Sequence, residues 1–133
     1  MPDLITLELA TDLFVKPTQV WDTWMDSARH SLLAQAPAFI EARVGGSYSL
    51  GGGSVTGEFV FLERPRLIAQ TWRTVDFGPD MDDTRLELRL EERVNGTRVQ
   101  VTHGHIPRHM ARMFREAWTS YYFPRMTTIG LPL

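Results

Sequence analysis

The sequence predicts an α+β domain in which a curved antiparallel sheet of about six to seven strands is covered by a long C-terminal helix. Apolar and polar residues alternate in several short segments between residues 39 and 103, and turn residues bound each segment. An amphipathic stripe with helical spacing follows near the C-terminus. Two short helical segments lie after the first strand, and because such helices are unstable alone, they must pack on the sheet.

The first apolar run, residues 5–9, alternates with period two and predicts a strand with one buried face. Pro17 then begins a helical stretch at a position where its missing N–H costs nothing. Asp26 is expected to cap a second short helix, which ends near Pro37. The next strands are predicted between glycine and proline turns, at residues 39–44, 48–50, 55–62 and 67–75.

The clearest strand pair follows. Three leucines, Leu86, Leu88 and Leu90, alternate with charged residues. The alternation predicts that the leucines form a buried face and the charged residues a solvent-exposed face. Asn95-Gly96 is expected to supply the two positive-φ residues of a tight hairpin, after which a strand returns over residues 97–103.

The last segment predicts a helix that Pro107 begins and Pro124 kinks or ends. Its solvated side is marked by arginines, at Arg108, Arg112 and Arg115. Its apolar stripe is expected to cover the sheet, leaving a space that is either filled or open as a pocket, and comprises Met110, Met113, Phe114, Ala117, Trp118 and Tyr121.

Composition excludes several classes of protein. A length of 133 residues suits a single domain, expected over residues 1–133, and a net charge of −2 argues against a dedicated nucleic-acid binder. The absence of cysteine excludes disulfides and thiolate sites. No apolar run is long enough to span a membrane, and the start at Met1-Pro2-Asp3 does not resemble a signal peptide. We therefore expect a cytoplasmic protein.

Two histidines near the end of the last strand raise the question of a metal site. His103 continues the dry face of that strand, and His105 would share it, because residues two apart on a strand point the same way. A metal needs a third ligand, and neither His30 nor His109 has a spacing that demands one. The glycine-rich residues 45–57 read as hairpin turns rather than a phosphate-binding loop, since no helix follows them. No metal or other cofactor is expected.

The ordered set of motifs resembles a known superfamily over residues 4 to 131. The motifs are Val20-Trp21-Asp22, Arg43-Val44-Gly45-Gly46, Gly57, the run from Pro65 to Arg73, Gly96-Thr97-Arg98-Val99, His103, Pro107, Trp118 and Tyr121-Tyr122. They resemble the START-like (birch-pollen-allergen-like, SRPBCC) superfamily. Within it, they are similar to single-domain proteins grouped with the activator of heat-shock-protein ATPase. Ala117 stands where that family usually has glycine, and the C-terminal helix ends early, at residues 130–133.

The resemblance implies a helix-grip fold but does not choose a function. Relatives include a co-chaperone domain, lipid and plant-hormone carriers, and polyketide aromatase/cyclases, so one fold carries many activities. The co-chaperone members generally carry a second domain.

Three hypotheses for function remain. The first is a cavity that binds a small hydrophobic or aromatic ligand. Its expected walls are aromatic and apolar with a few polar groups, and comprise Trp24, Tyr48, Phe59, Phe61, Gln70, Trp72, Leu88, Val101, His103, Met113, Trp118 and Tyr121. The second is a cyclase, dehydratase or hydrolase in which His103 is the acid/base, with Tyr121 or Arg73 as its partner. The third is a co-chaperone-like interaction domain. A homodimer through an exposed strand edge is a further expectation.

Overall fold

The structure is a computed structural model that describes residues 3–131. The sequence-based expectations for residues 1–2 and 132–133 lie outside the described residues. The elements are β1 (Leu4–Leu13), α1 (Pro17–Met25), α2 (Ser27–Ala34), β2 (Ala38–Ile40), β3 (Ser47–Leu50), β4 (Val55–Glu63), β5 (Leu67–Thr74), β6 (Thr84–Arg93) and β7 (Gly96–Pro107). A C-terminal helix over residues 108–126 completes the fold and consists of a 3-10 turn (Arg108–Met110), α3 (Ala111–Glu116), a π-helical segment (Ala117–Tyr122) and α4 (Phe123–Met126).

The seven strands form one antiparallel sheet in the order β1-β7-β6-β5-β4-β3-β2. The alternation predicted for β6 is confirmed, since Leu86, Leu88 and Leu90 are all buried. Leu88 pairs with Val101 of β7, and Leu86 pairs with His103, so His103 lies on the buried face. The predicted fold class, a curved antiparallel sheet with two short helices after the first strand and a helix at the end, is confirmed.

The two short helices are stabilised where the sequence indicates. Pro17 is the first residue of α1, and the Asp26 carboxylate accepts the N–H of Arg29 at 2.9 Å, which caps α2 as predicted. Gln35 ends α2 in the left-handed region, with φ of 55°. The strand predicted over residues 39–44 ends at Ile40, because the chain turns over residues 41–46, where Arg43 N–H bonds to the Glu41 carbonyl and Gly46 N–H to the Arg43 carbonyl.

The end of β7 differs from the prediction in a way that matters for the histidines. Thr6 of β1 faces both Gly104 and His105, because Leu7 pairs with His103 and Ile5 pairs with Ile106. This β-bulge places His105 at a φ of 59° with its side chain exposed. The prediction that His103 and His105 share a face was therefore wrong. The strand also continues to Pro107, which ends β7 instead of beginning the helix.

The tight hairpin between β6 and β7 forms, but for a different reason from the one predicted. Its loop is Val94-Asn95, between paired Arg93 and Gly96, and neither Asn95 nor Gly96 has a positive φ. Gly96 is required instead by close approach, because a Cβ there would overlap the carbonyl oxygen of Leu13 at the end of β1.

The buried stripe of the C-terminal helix contains Phe114 and Trp118, as predicted, but differs from the prediction by one residue after Trp118. Phe114, Trp118, Tyr122 and Met126 are buried, whereas Met113 is 41% exposed and Tyr121 is only partly buried. The π-helical segment holds more residues in a turn than an α-helix, so the inward position moves from Tyr121 to Tyr122. Pro124 follows that segment, and the helix continues past it to Met126.

The close approach at Gly96 gives the first prediction. Gly96→Ala should lower the free energy of unfolding by about 2 kcal/mol or more, because the added methyl group pushes β1 away from β7. Gly78→Ala is the matched control. Its added methyl group meets open space, so it should change stability by less than about 0.5 kcal/mol. Urea denaturation followed by circular dichroism measures both, and equal stability of the two variants would contradict the close-approach account.

Candidate functional site

A cluster of aromatic rings fills the region between the sheet and the C-terminal helix. Trp118 lies at its centre, with its ring centroid 5.9 Å from both Trp24 of α1 and Trp72 of β5. Tyr122 packs 5.4 Å from the Trp118 ring and 5.1 Å from the Trp24 ring. All four side chains are less than a tenth exposed, and aromatic contacts at these separations add to the stability from area burial alone.

His103 is hydrogen-bonded through both ring nitrogens inside this cluster. The indole N–H of Trp118 donates to Nδ1 at 3.2 Å, and Nε2 lies 2.8 Å from the hydroxyl of Thr84. That hydroxyl donates to the carbonyl oxygen of Trp72, so it can only accept from Nε2. The ring is therefore neutral with its proton on Nε2, and no lone pair of the ring is left for a substrate.

Burial also sets the protonation of His103. Desolvation lowers the pKa of the imidazole from 6.5 to about 3, because no carboxylate compensates a charge there. A general acid or base works best when its pKa lies near the working pH. The geometry and the pKa together favour a structural role for His103 over the acid/base role that the sequence suggested.

A second buried histidine joins the helices to one another. His30 of α2 has Nδ1 2.8 Å from the carbonyl oxygen of Trp24 and Nε2 3.0 Å from the hydroxyl of Tyr122. A carbonyl only accepts, so Nδ1 carries the proton and Nε2 accepts from the tyrosine. Desolvation by burial lowers the pKa of His30. Gln70 completes the polar set, since its side-chain oxygen accepts the indole N–H of Trp24 at 2.9 Å.

Of the twelve side chains predicted to line a cavity, nine lie in the interior and three do not. Phe61 is 46% exposed, Met113 is 41% exposed, and the hydroxyl of Tyr121 donates to the carbonyl of Ala34 beneath α2. The bulge between Phe59 and Phe61 on β4 explains the outward position of Phe61. The nine interior side chains are Trp24, Tyr48, Phe59, Gln70, Trp72, Leu88, Val101, His103 and Trp118.

The interior space is occupied by these side chains. Five of the surface pockets in the part of the chain that the structure describes have volumes of about 330 to 420 Å³, and the nine interior side chains line none of these five. Among residues 3–131, no three histidine or carboxylate side chains come together in an arrangement that suits a metal ion. Arg73 holds the loop before β6 instead of entering the interior, because its guanidinium donates to the carbonyls of Gly78 and Met81.

Sequence reasoning missed three interior groups. Thr84 extends the alternation of β6 by one step, at i−2 from Leu86, and that signal was available. Tyr122 lies four residues after Trp118, a spacing that helices allow, but Tyr121 at three residues was assigned to the stripe in its place. His30 was considered solely as a metal ligand, because nothing local indicates its contacts with Trp24 and Tyr122.

A curved antiparallel sheet closed by a C-terminal helix defines the chain as a START-like, helix-grip domain. Residues 15–129 match the sequence profile of the family described as Activator of Hsp90 ATPase homolog 1-like protein. The chain belongs to this family.

Individual relatives agree with that assignment. The activator of 90 kDa heat shock protein ATPase homolog 1 from Mus musculus is 26% identical over 117 residues, which cover 88% of this chain and 34% of the mouse protein. An uncharacterised protein of Schizosaccharomyces pombe is 38% identical over 55 residues, which cover 41% of this chain and 16% of that protein. The chain thus spans about a third or less of the length of these relatives.

Solved structures share the fold. A crystal structure of PFC0360w, described as an HSP90 activator from Plasmodium falciparum, superposes with a TM-score of 0.86 at 22% identity, covering 94% of this chain and 95% of that one. Protein CV1439 from Chromobacterium violaceum superposes with a TM-score of 0.79 at 19% identity, covering 96% of this chain and 99% of that one.

Among the helices that the structure describes, none has the length and apolar character of a membrane span.

The buried histidines give a prediction for pH dependence. The unfolded chain binds a proton at His103 below about pH 6.5, whereas the folded chain does not until about pH 3. The stability gained by keeping the ring neutral is therefore complete above pH 6.5 and is lost as the pH falls. Between pH 7 and pH 5, this histidine should lower the free energy of unfolding by about 2 kcal/mol.

Urea denaturation at several pH values tests this expectation. His103→Gln should flatten the decline between pH 7 and pH 5 by that amount, because the amide does not titrate. His109→Gln, which changes an exposed histidine, is the control and should keep the native slope. A native slope in His103→Gln would contradict a neutral, buried His103.

Proposed function

We propose that this chain is a protein-binding domain whose partner is an ATPase chaperone of the Hsp90 family. The observation that carries the proposal is the filled interior, in which nine of the twelve residues expected to line a ligand cavity pack against one another. Close-packed protein interiors have little room for a guest molecule. A domain of this kind acts through its outer surface.

The relatives support the choice of partner. The mouse relative carries the name of an activator of the 90 kDa heat shock protein ATPase. The Plasmodium falciparum structure described as an HSP90 activator matches this chain over 94% of its length, and this chain covers 95% of that structure. A domain of this size and fold is therefore compatible with such a partner.

The internal hydrogen bonds support a binding role as well. Trp118 joins the C-terminal helix to β7 through His103, Trp24 joins α1 to β5 through Gln70, and His30 joins α2 to Tyr122. The outer surfaces of the helices and the sheet are held in fixed positions by these bonds. Preorganised surfaces lose less conformational entropy on binding.

The direct test uses the purified Hsp90-family ATPase from the same organism. We expect the chain to form a complex with it in sedimentation-velocity ultracentrifugation and to raise its rate of ATP hydrolysis. His103→Gln, a change confined to the interior, should leave binding intact once circular dichroism has shown that the variant is folded. No complex with the native chain at concentrations well above micromolar would contradict the proposal.

Small-molecule binding in the interior is the second candidate, and the position of Phe77 favours it. Phe77 belongs to the loop between β5 and β6, and its ring packs 6.1 Å from Phe114 of α3, which lies 4.8 Å from His103. Arg73 holds this loop through backbone carbonyls and an ion pair with Asp83. Phe77 thus covers this end of the interior together with Met81 of the same loop, and movement of the loop would admit an apolar or aromatic ligand.

Phe77→Ala and Phe61→Ala distinguish the two candidates. If the interior binds ligands, Phe77→Ala should bind an environment-sensitive hydrophobic dye saturably, and the dye should quench tryptophan fluorescence. The substitution uncovers Phe114, which packs against His103, the hydrogen-bond partner of Trp118. Phe61→Ala removes a ring of the same size from the outer face and should behave like the native chain. Equal dye binding by the two variants would contradict an interior site.

A further inference from the structure

Charge is distributed unevenly over this chain. Residues 108–126, the C-terminal helix, contain four arginines and one glutamate, whereas the rest of the chain contains ten basic and fifteen acidic residues. The helix is thus net positive on a domain that is otherwise net negative. We use the name basic helix face for the exposed side of its first half, which consists of Arg108, His109, Arg112, Met113, Arg115 and Glu116.

The arginines of the basic helix face are available to a partner. The side chain of Arg112 is 91% exposed and pairs only with Glu116, at 3.1 Å, four residues along the same helix. Arg108 pairs with Asp3, and both partners of that pair are about two-thirds exposed. Exposed pairs of this kind contribute little to stability, so they exchange readily for other carboxylates. Within residues 3–131, Arg115 has no ion-pair partner.

The outer face of the sheet carries a different charge pattern from the basic helix face, so it serves as a comparison within the same chain. Its strands interleave the two signs, as in Arg85, Glu87, Arg89 and Glu91 along β6. Arg98 of β7 is matched by Asp12 of β1 at 2.9 Å. Opposite charges balance on that face, whereas the basic helix face keeps an excess of positive charge, because its three arginines are accompanied only by Glu116 and by Asp3 beside Arg108. Arg108, Arg112 and Arg115 recur at i, i+4 and i+7, which places them on one side of the helix.

We propose that the basic helix face docks an acidic surface or segment of the chain's protein partner. This inference rests on the proposed function, since it names the surface through which the chaperone would be bound. Guanidinium groups bind carboxylates through two parallel hydrogen bonds, which gives both affinity and orientation. Exposed Met113 lies among the arginines and supplies an adaptable apolar contact.

The size of the basic helix face favours a protein partner over a nucleic acid. Three arginines on one helical side neutralise few phosphates, and strong nucleic-acid binding requires many such contacts. The remaining net negative charge of the domain would repel a long polyanion that extended beyond the helix. A short acidic protein segment avoids that repulsion.

Matched charge reversals test the inference. The double variant Arg112→Glu/Arg115→Glu should slow association with the Hsp90-family ATPase on the order of tenfold or more at low salt, because attraction becomes repulsion. Added salt should raise the association rate of this variant, whereas it should lower that of the native chain, because salt screens repulsion as well as attraction. Arg85→Glu/Arg89→Glu produces the same change of net charge on the outer face of the sheet and should leave the rate close to native.

A second arm replaces the chaperone by an oligoglutamate peptide and by duplex DNA. The native chain should bind the peptide, and Arg112→Glu/Arg115→Glu should not. That result would support the inference even if the chaperone itself failed to bind, in which case only the proposed function would fall. Equal losses in the two double variants, no loss in either, or tighter binding of the DNA than of the peptide would each overturn the inference.

Discussion

The hydrogen bond from the indole of Trp118 to His103 is the contact on which the interior depends. It joins the centre of the C-terminal helix to the buried face of β7, and it exists only while the imidazole remains neutral. Thr84 determines the position of the imidazole proton, because its own hydrogen is used by the carbonyl of Trp72. Loss of any member would leave a buried polar group without a partner, at a cost of about 1–3 kcal/mol.

His30 is also hydrogen-bonded through both ring nitrogens, but it carries its proton on Nδ1 and not on Nε2. There the backbone carbonyl of Trp24 requires the proton on Nδ1, and Nε2 accepts from Tyr122. Two histidines in different layers thus hold the two short helices and the long helix in register around Trp24 and Trp118. Polar groups that are fully satisfied inside an aromatic cluster specify one arrangement of the layers. They are hydrogen-bonded within the protein and are therefore not the free acids or bases that catalysis would need.

The buried histidines and Gln70 are hydrogen-bonded to groups inside the protein. The outer surface is therefore where a partner would bind. The family to which the chain belongs contains relatives named as activators of a chaperone ATPase, and this chain combines a rigid scaffold with a helix whose exposed side is basic. Rigidity of the scaffold and segregation of charge are properties suited to protein recognition. The loop residue Phe77, which packs against Phe114, supports the alternative of a guest in the interior.

The sequence by itself determined the elements whose periodicity is local. Leu86, Leu88 and Leu90 could be assigned to one face because strand geometry alternates side chains whatever the neighbours are. Tertiary structure decided the rest. The bulge that separates His105 from His103 depends on pairing with β1, and the π-helical segment that brings Tyr122 inward in place of Tyr121 is a deviation from the helical period. Whether the space beneath the helix is open or filled is a question of packing between distant elements, and periodicity along one chain segment carries no information about it.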